Sequence, residues 1–383
     1  MFIPRIAQTD PPPDFIDLGS GNPGLELMPL EKLQRSAKQY FSEADPRTLQ
    51  YGAEQGNGNF LTALADFLSA ESSFPVRPDS LFTTAGASSG LDLLCTLFTQ
   101  PGDVVFVEEP TYFLALRIFR DHRLEVISLP MDDRGLDINR LKKALERQQP
   151  KLLYTVPTFH NPASLTLPRD RREELVRLAE KHHFLLIADE VYHFLGYQGE
   201  VPRPFSFYSE EVPQVISLNS FSKILAPGLR LGWIQAHEEV IQQLSGSGLL
   251  DSGGGMNPFT SALVSALIEA GDLRKNIQQL KAAYQRRLEA MAAALAEHLS
   301  WAEYRVPRGG FFFWVRLPGV KTAALREKAR HRKVDFRPGT LFSSQQGLVE
   351  HIRLSFSYYD QKQLARGIER LGGCLEETRS EMG

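Results

Sequence analysis

A stretch near the middle of the chain, residues 220–233, combines side chains that bind phosphate or attack carbonyl compounds. It contains the hydroxyls of Ser220 and Ser222, the amine of Lys223 and the guanidinium of Arg230. Hydroxyls donate single hydrogen bonds to a phosphate, and a guanidinium binds it in a bidentate manner. The lysine either adds a third phosphate contact or acts as a nucleophile that forms a Schiff base. A lysine in a serine-rich turn is usually only solvated, so the interpretation depends on its neighbours.

Two further polar residues follow apolar segments that have the composition of buried strands. Asp189 comes directly after residues 185–188, and a carboxylate at the tip of a buried strand is costly unless it meets a cation or several donors. A pyridinium nitrogen is such a cation, and an aspartate is its expected partner when the cofactor is pyridoxal phosphate. Asn161 follows residues 152–156 and precedes Pro162, which favours an extended backbone that aims its amide at the same cleft.

The first strand–helix junction, residues 83–90, is small and rich in hydroxyls. Backbone N–H groups at the start of the following helix bind phosphate well. The junction lacks the Gly-Lys-Ser/Thr ending of a nucleotide P-loop, which excludes an NTPase of that type. The adjacent Glu108 and Glu109 could suggest a catalytic acid pair, but adjacent residues rarely face each other. We therefore interpret them as polar residues of a helix or loop. No spacing of histidine, cysteine and carboxylate residues predicts a metal site.

Apolar segments of strand length alternate with helical patterns through the middle of the chain. The candidate strands are residues 104–107, 124–129, 152–156, 185–188, 215–218 and 232–235. Between them lie amphipathic segments such as residues 169–183, with Leu175 and Leu178 on one face. This alternation predicts an α/β fold in which helices cover both faces of a parallel sheet. Ligands bind such sheets at the carboxyl ends of the strands, where Asp189 and residues 220–233 are expected.

The character of the sequence changes after the glycine-rich residues 252–255. A long, charged and alanine-rich helical segment covers about residues 273–299, and short strands with a closing helix from Gln361 follow. This tail predicts a smaller α+β domain. The expected division is an N-terminal arm with part of the small domain at 1–46, a large cofactor-binding domain at 47–270, and a small C-terminal domain at 271–383.

Composition excludes several classes of protein. The 383 residues are 42% hydrophobic and 23% charged, with a formal net charge of −3, as in ordinary globular proteins. No apolar run reaches the roughly 20 residues of a transmembrane helix, and residues 1–10 do not resemble a secretory signal. A nucleic-acid binder would usually carry a basic excess, so neither a membrane nor a nucleic acid is an expected partner. Only two cysteines, Cys95 and Cys374, occur, which favours a reducing cytoplasm.

Six motifs occur in the order that is typical of one enzyme family. They are Ala85-Gly86-Ala87-Ser88, Pro110-Thr111-Tyr112, His160-Asn161-Pro162, Asp189-Glu190-Val191-Tyr192, Ser220-Phe221-Ser222-Lys223 and Gly228-Leu229-Arg230-Leu231-Gly232. Together they resemble the fold type I pyridoxal-phosphate-dependent aminotransferases of class I/II, near the 2-aminoadipate, aromatic and branched-chain enzymes. The resemblance implies a large domain with a mainly parallel seven-stranded sheet covered by helices, plus a smaller α+β domain.

The resemblance implies a role for each residue of the cofactor site. Lys223 would hold pyridoxal 5'-phosphate as a Schiff base and then move the proton, while Asp189 would pair with the ring nitrogen. Tyr192 and Asn161 would hydrogen-bond to the ring 3-oxygen, and Tyr112 would stack on the ring. Of these, the catalytic residues would be Lys223, Asp189 and Tyr192. The phosphate would be bound by Gly86, Ala87, Ser88, Ser220, Ser222 and Arg230.

The resemblance also implies contacts to substrate and to a second subunit. Strand alternation in residues 351–357 places Arg353 on the polar face, and in the family this position clamps the substrate α-carboxylate. Gly21 and Asn161 would meet the same carboxylate. A tyrosine of the partner subunit reaches the phosphate in the family, and Tyr51 matches it. A homodimer with shared active sites is therefore expected.

One position departs from the family pattern. Where the family commonly has Asn-Pro-Thr-Gly, this chain has Asn161-Pro162-Ala163-Ser164. If the fourth position requires a positive φ, Ser164 must be strained or the turn reshaped.

The function that these residues favour is reversible transamination between an amino acid and a 2-oxo acid, within amino acid metabolism and biosynthesis. One alternative is a lyase or decarboxylase on the same fold, because the cofactor permits several bond cleavages. Another is a non-catalytic sensor domain of the aminotransferase-like transcription regulators, which carry a winged-helix module ahead of this domain. The motifs here begin by residue 20 and the net charge is −3, which weighs against the sensor.

Overall fold

The structure is a computed structural model that describes residues 11–43 and 45–382. Residues 1–10, the start of the expected N-terminal arm, lie outside this part of the chain. The α-helices are α1 Leu30–Glu43, α2 Gly58–Ser72, α3 Ala87–Phe98, α4 Phe113–Asp121, α5 Ile138–Leu145, α6 Arg169–His182, α7 Glu238–Ser245, α8 Gly248–Gly253, α9 Pro258–Glu269, α10 Asp272–His298, α11 Thr322–His331 and α12 Gln361–Met382. The strands are β1 Ile16–Asp17, β2 Leu81–Thr84, β3 Val104–Glu109, β4 Glu125–Asp132, β5 Gly135–Leu136, β6 Leu152–Thr155, β7 Leu185–Asp189, β8 Val215–Ser220, β9 Gly232–Gln235, β10 Glu303–Tyr304, β11 Phe312–Arg316, β12 Val334–Asp335, β13 Arg337–Pro338 and β14 His351–Ser355.

The larger sheet has the strand order β2-β9-β8-β7-β6-β3-β4-β5. The strands from β8 to β4 run parallel to their neighbours, whereas β9 is antiparallel to β2 and β8, and β5 is antiparallel to β4. The predicted α/β fold with a mainly parallel sheet is therefore confirmed. The described sheet has eight strands rather than seven because the two-residue β5 pairs with the end of β4.

Side chains of the central strands pack alternately into two hydrophobic clusters. Val105 of β3 and Leu152 of β6 belong to one cluster, while the next residues, Phe106 and Leu153, belong to the other. Since successive strand residues point to opposite faces, both faces of the sheet are covered by apolar side chains. Polar groups on these strands can therefore reach a ligand mainly at the strand ends.

The second sheet is antiparallel, with the order β10-β11-β14-β13. Its apolar residues, such as Val315 and Leu354, share a core with Leu288 of α10 and Leu371 of α12. The N-terminal β1 pairs in parallel with β12, far along the chain. This pairing is compatible with the expected share of residues 1–46 in the small domain, although the boundary at residue 270 stays a prediction.

No helix within the described residues is long and apolar enough to cross a membrane. The same part of the chain has no group of three or more histidine, cysteine or carboxylate residues that could hold a metal ion. Cys95 and Cys374 are buried and form no disulfide.

Candidate active site

The carboxyl ends of three neighbouring strands bring predicted site residues to one edge of the large sheet. Asn161 lies in the loop after β6, Asp189 ends β7, and Lys223 follows the end of β8. Because β6, β7 and β8 pair in parallel, these ends open on the same side of the sheet. The sequence placed the ligand at this edge.

Asp189 is a buried carboxyl group, with 7% of its surface exposed. Its Oδ2 accepts a hydrogen bond from the Tyr154 hydroxyl at 2.6 Å, and its Oδ1 lies 3.5 Å from the Val191 amide nitrogen. Burial raises the pKa of Asp189 to about 6, against the hydrogen bonds and the nearby charge of Lys223. Within the described residues no cation lies within ion-pair distance of it. A positively charged ligand group would compensate this carboxylate.

Tyr154 is a site residue that the sequence analysis missed. It lies on β6 beside Ile187 of β7 and is completely buried, and burial together with Asp189 holds the pKa of its phenol well above the usual value. The signal available in the sequence was a tyrosine with a polar tip inside an otherwise apolar strand. That signal could not be interpreted without the β6–β7 pairing.

Lys223 follows the end of β8 and donates a hydrogen bond from Nζ to the Gly21 carbonyl oxygen at 2.8 Å. Burial, with the charges of Arg353 and Arg230, lowers the pKa of Lys223 to about 8, and the charge of Asp189 opposes this shift. A substantial fraction of the amine is therefore neutral near physiological pH, as a nucleophile requires.

Arg353 lies on β14 with only 4% of its surface exposed. Its Nη1 donates to Asn161 Oδ1 and its Nη2 donates to the Gly19 carbonyl oxygen, both at 2.8 Å. The guanidinium carbon lies 4.1 Å from the centre of the Phe312 ring and 4.9 Å from that of Phe342. Burial lowers the pKa of Arg353 to about 10, so the group stays charged at neutral pH.

Gly21 faces both Arg353 and Phe312. A Cβ atom at Gly21 would lie 3.1 Å from Phe312 Cζ and 3.9 Å from Arg353 Nη2. Its carbonyl oxygen accepts the hydrogen bond from Lys223. The structure therefore brings together Gly21, Asn161 and Arg353, the three predicted substrate-binding residues.

Tyr192 is buried and Tyr112 is half-buried, and the same charges act on both. The Tyr192 ring packs edge-on against Phe311 at 5.4 Å and Phe312 at 5.9 Å between ring centres. Burial raises the pKa of Tyr112 to about 12 and that of Tyr192 still further. The charges of Asp189 and Arg353 act on both phenols.

The predicted phosphate-binding residues also meet. Gly86, with φ +91°, caps the N-terminus of α3, and Arg230 donates from Nη2 to the Ala85 carbonyl oxygen at 3.0 Å. A Cβ atom at Gly86 would lie 2.9 Å from Arg230 Nη2. The Ser222 amide donates to Ser220 Oγ at 3.1 Å, and the two hydroxyls are 2.9 Å apart. Ala87 and Ser88 form the first turn of α3, so their N–H groups are free of helical partners.

Tyr51 lies apart from this group. Its side chain is 83% exposed, and the adjacent Gly52 carbonyl oxygen accepts a hydrogen bond from the Gly255 amide at 2.9 Å. Within the described residues the Tyr51 side chain makes no hydrogen bond or ring contact to the phosphate-binding residues.

Glu108 corrects one interpretation of the sequence. It lies on β3 rather than on a helix or loop, and it is buried. Its carboxylate accepts hydrogen bonds from the Thr155 hydroxyl at 2.7 Å and the Val156 amide at 3.0 Å, and His160 Nε2 lies 3.0 Å away. His160 Nδ1 also accepts a hydrogen bond from the Ala163 amide at 3.1 Å, so the ring lies between Glu108 and the loop. Glu108 therefore supports the loop that carries Asn161.

The expectation for Ser164 is also met. Its φ is +58°, in the left-handed region that favours glycine. Its hydroxyl donates to the carbonyl oxygen of Phe312 on β11.

Comparison with known proteins identifies the family. The family model for aminotransferase class I and II matches residues 13–371. The chain belongs to this family. The aminotransferase resembles aromatic-amino-acid aminotransferase 1 of Thermococcus litoralis, with 34% identity over 95% of this chain and 88% of the relative.

Two solved structures extend the comparison. A multiple substrate aminotransferase from Thermococcus profundus has a TM-score of 0.90 and 33% identity, covering 97% of this chain and 93% of that one. LysN, an alpha-aminoadipate aminotransferase from Thermus thermophilus complexed with N-(5'-phosphopyridoxyl)-L-leucine, has a TM-score of 0.88 and 28% identity, covering 96% and 94%.

As a member of the family, this aminotransferase uses pyridoxal phosphate to move the amino group of an L-amino acid to a 2-oxo acid. The cleft fits that cofactor. Asp189 offers a buried carboxyl without a cation, Lys223 offers an amine with a lowered pKa, and Gly86 leaves room beside Arg230. The predicted family, fold class, cofactor and enzyme class are confirmed, and the lyase and sensor alternatives are not favoured.

Proposed function

We propose that transamination takes place in the cleft between Lys223, Asp189 and Arg353. The observation that carries this proposal is the placement of Lys223. Its Nζ lies 2.8 Å from the carbonyl oxygen of Gly21, which neighbours Arg353, and its pKa is lowered to about 8. When bound, pyridoxal phosphate supplies a carbonyl group for the amine and a protonated ring that draws electrons from the substrate Cα. Lys223 Nζ binds the cofactor and later carries the proton from Cα, while Asp189 keeps the ring nitrogen protonated.

The α-carboxylate of the substrate binds Arg353, with Asn161 and Gly21 beside it. Two nitrogens of the Arg353 guanidinium already have partners in Asn161 and Gly19. Its Nε is buried and has no hydrogen-bond partner in the described part of the chain, and a buried donor without a partner is costly. A substrate carboxylate would satisfy that donor and fix the direction of the Cα–H bond.

The remaining residues hold the cofactor. Tyr192 and Asn161 would hydrogen-bond to the ring 3-oxygen, and Tyr112 would stack on the ring. The phenol of Tyr192 stays protonated because burial keeps its pKa high, so it donates to a phenolate oxygen. The phosphate binds the group Gly86, Ala87, Ser88, Ser220, Ser222 and Arg230.

We propose that amino acids with large apolar or aromatic side chains are preferred donors. The guanidinium of Arg353 is surrounded by the rings of Phe312, Phe342 and Phe113, the last at 5.9 Å. A relative with 34% identity is named for aromatic amino acids. The test is a panel of phenylalanine, tyrosine, leucine, 2-aminoadipate and aspartate, with 2-oxoglutarate and pyruvate as acceptors. A higher kcat/KM for aspartate than for phenylalanine would contradict the proposal.

A homodimer with shared active sites completes this proposal. The exposed apolar residues of this part of the chain include Tyr51 at 83%, Leu49 at 72% and Phe41 at 62%, and Phe41 packs against Phe259 at 5.9 Å. Exposed apolar side chains of this kind favour contact with another protein surface. Tyr51 would donate a hydrogen bond to the cofactor phosphate in the partner. A fully active monomer in sedimentation would rule this out.

The proposed cellular setting depends on the two cysteines. Buried Cys95 and Cys374 without a disulfide suit a reducing compartment, and we propose the cytoplasm, with a role in amino acid metabolism and biosynthesis. The domain division at residues 46 and 270 remains part of the proposal, and limited proteolysis near residue 270 would test it.

A further inference from the structure

The loop after β6 is joined to the second sheet at two points. Asn161 Oδ1 accepts a hydrogen bond from Arg353 of β14 at 2.8 Å, and the Ser164 hydroxyl donates to the carbonyl oxygen of Phe312 on β11. The loop itself is closed by its own backbone, since the Ser164 amide donates to the His160 carbonyl at 2.6 Å and the His160 amide donates to the Leu165 carbonyl at 2.8 Å. Asn161 and Ser164 therefore move as parts of one unit.

The Phe312 carbonyl depends on this contact. Phe312 lies opposite Ser355 in the β11–β14 pair, but the Ser355 amide bonds to Leu18 instead. The other neighbour, β10, pairs only with Val315 and Arg316 and does not extend to Phe312. The hydroxyl of Ser164 thus supplies a hydrogen-bond donor that neither neighbouring strand provides.

Phe312 also contacts Arg353. Its ring centre is 4.1 Å from the Arg353 guanidinium carbon, close enough for a cation–π contact. A Cβ atom at Gly21 would meet the same ring at 3.1 Å. A shift of Phe312 therefore changes the position of the guanidinium and the room beside Gly21 together.

We propose that Ser164 is a positioning residue for substrate binding, because its hydroxyl fixes Phe312 and so the guanidinium of Arg353. This rests on the proposed role of Arg353 as the carboxylate clamp. A glycine would adopt φ +58° without strain, but it has no hydroxyl to reach the second sheet. Ser164 therefore combines a strained backbone with a hydrogen bond between the loop and β11.

The experiment compares Ser164→Gly and Ser164→Ala in the holoenzyme. The alanine variant loses the hydroxyl and keeps the backbone strain, whereas the glycine variant loses both. Both variants should raise KM for every amino donor and the Kd of 3-phenylpropionate, a carboxylate that cannot transaminate, by about 3- to 10-fold, the effect of one hydrogen bond. The kcat should stay within about twofold. The Tm should fall for Ser164→Ala but not for Ser164→Gly.

Ser73 provides a matched control. It is an exposed serine with φ +59° at the C-terminus of α2, so Ser73→Gly relieves the same backbone strain away from the cleft. It should raise Tm slightly and leave KM and Kd unchanged. Unchanged binding in both Ser164 variants, or a loss in kcat alone, would overturn the positioning role.

Arg353→Lys separates this proposal from the one on which it rests. If Arg353→Lys weakens binding and Ser164→Gly does not, only the role of Ser164 is wrong. If Arg353→Lys leaves the Kd of 3-phenylpropionate unchanged, the clamp itself is wrong. In the double variant, the effect of Ser164→Gly should disappear, because the serine acts through the guanidinium. An effect that persists in full would show that Ser164 acts elsewhere.

Discussion

Two neighbouring carboxyl groups at the end of β7 lie in contrasting surroundings. Glu190 accepts hydrogen bonds from the Ser217 hydroxyl at 2.7 Å and the Phe205 amide at 2.9 Å, and the Arg172 guanidinium lies 3.6 Å away. Asp189 accepts one short hydrogen bond, from Tyr154 at 2.6 Å. Both groups are buried, so burial alone does not distinguish them.

The difference lies in where the compensating charge comes from. The chain itself supplies Glu190 with a cation and several donors, which makes it a structural group. Burial raises the pKa of both carboxyl groups, that of Asp189 to about 6, but Asp189 has no cation within ion-pair distance in the described residues. A buried carboxyl that its own chain leaves uncompensated is expected to serve a bound ligand.

The largest effect should come from Lys223→Ala, which removes the amine that works beside Asp189 in the proposed reaction. The kcat should fall by about 10²- to 10⁴-fold, the range for loss of a general acid–base group. Cofactor should remain bound without a covalent link, because Asp189 and the phosphate-binding residues are unchanged. Rapid-mixing measurement of 2-oxo acid formed in the half-reaction tests this, with the exposed Lys321→Ala as control. More than a tenth of the wild-type rate would rule out the assignment.

Neutralising each carboxyl should then divide activity from stability. Glu190→Gln leaves the Arg172 guanidinium buried without its counter-charge and should lower the free energy of unfolding by about 3 kcal/mol. Asp189→Asn breaks no ion pair and should keep the fold, but kcat/KM should fall by about 10²- to 10³-fold because a preorganised charge is lost. Urea unfolding and steady-state kinetics on both variants decide the matter. The opposite pattern would mean that the two groups have been assigned the wrong way round.

The features that the sequence predicted are those that depend on local pattern. The apolar runs predicted β3, β4, β6, β7, β8 and β9, and Gln361 begins α12 as expected. The ends of those strands then located Asp189 and Lys223. These features depend on neighbours along the chain, which a single sequence contains.

The features that the sequence did not predict depend on contacts between distant segments. The Tyr154–Asp189 bond requires the pairing of β6 with β7, and Glu108 was misinterpreted because its donors lie on another strand. The hydroxyl of Ser164 finds its acceptor only when the second sheet packs against the loop. Register and packing, rather than local preference, decide such contacts.

Tyr154→Phe should weaken cofactor binding by Asp189 without removing the charge of this carboxylate. The variant loses the 2.6 Å hydrogen bond to the carboxylate, and a bond to a charged group is worth about 1.5–3 kcal/mol. Cofactor affinity should therefore fall about 10-fold or more while the fold is kept. Equilibrium titration of cofactor-free protein measures this, with Tyr304→Phe on β10 as control. Unchanged affinity would show that Tyr154 only fills space.

The smallest expected effect is a change with pH in the stability of Asp189→Asn relative to wild type. Because the pKa of Asp189 is raised from 3.8 to about 6, the folded protein holds this proton more tightly than the unfolded chain does. The ionised group therefore destabilises the fold progressively between pH 4 and pH 6 and fully above it. Asp189→Asn cannot ionise, so without cofactor its stability relative to wild type should rise by about 1–3 kcal/mol across this window. Urea unfolding at pH 4.5 and pH 7.5 measures the change. The advantage should shrink when cofactor is bound, since the ring nitrogen then compensates the carboxylate. A difference that is constant with pH would mean that the pKa of Asp189 is not raised in the folded protein.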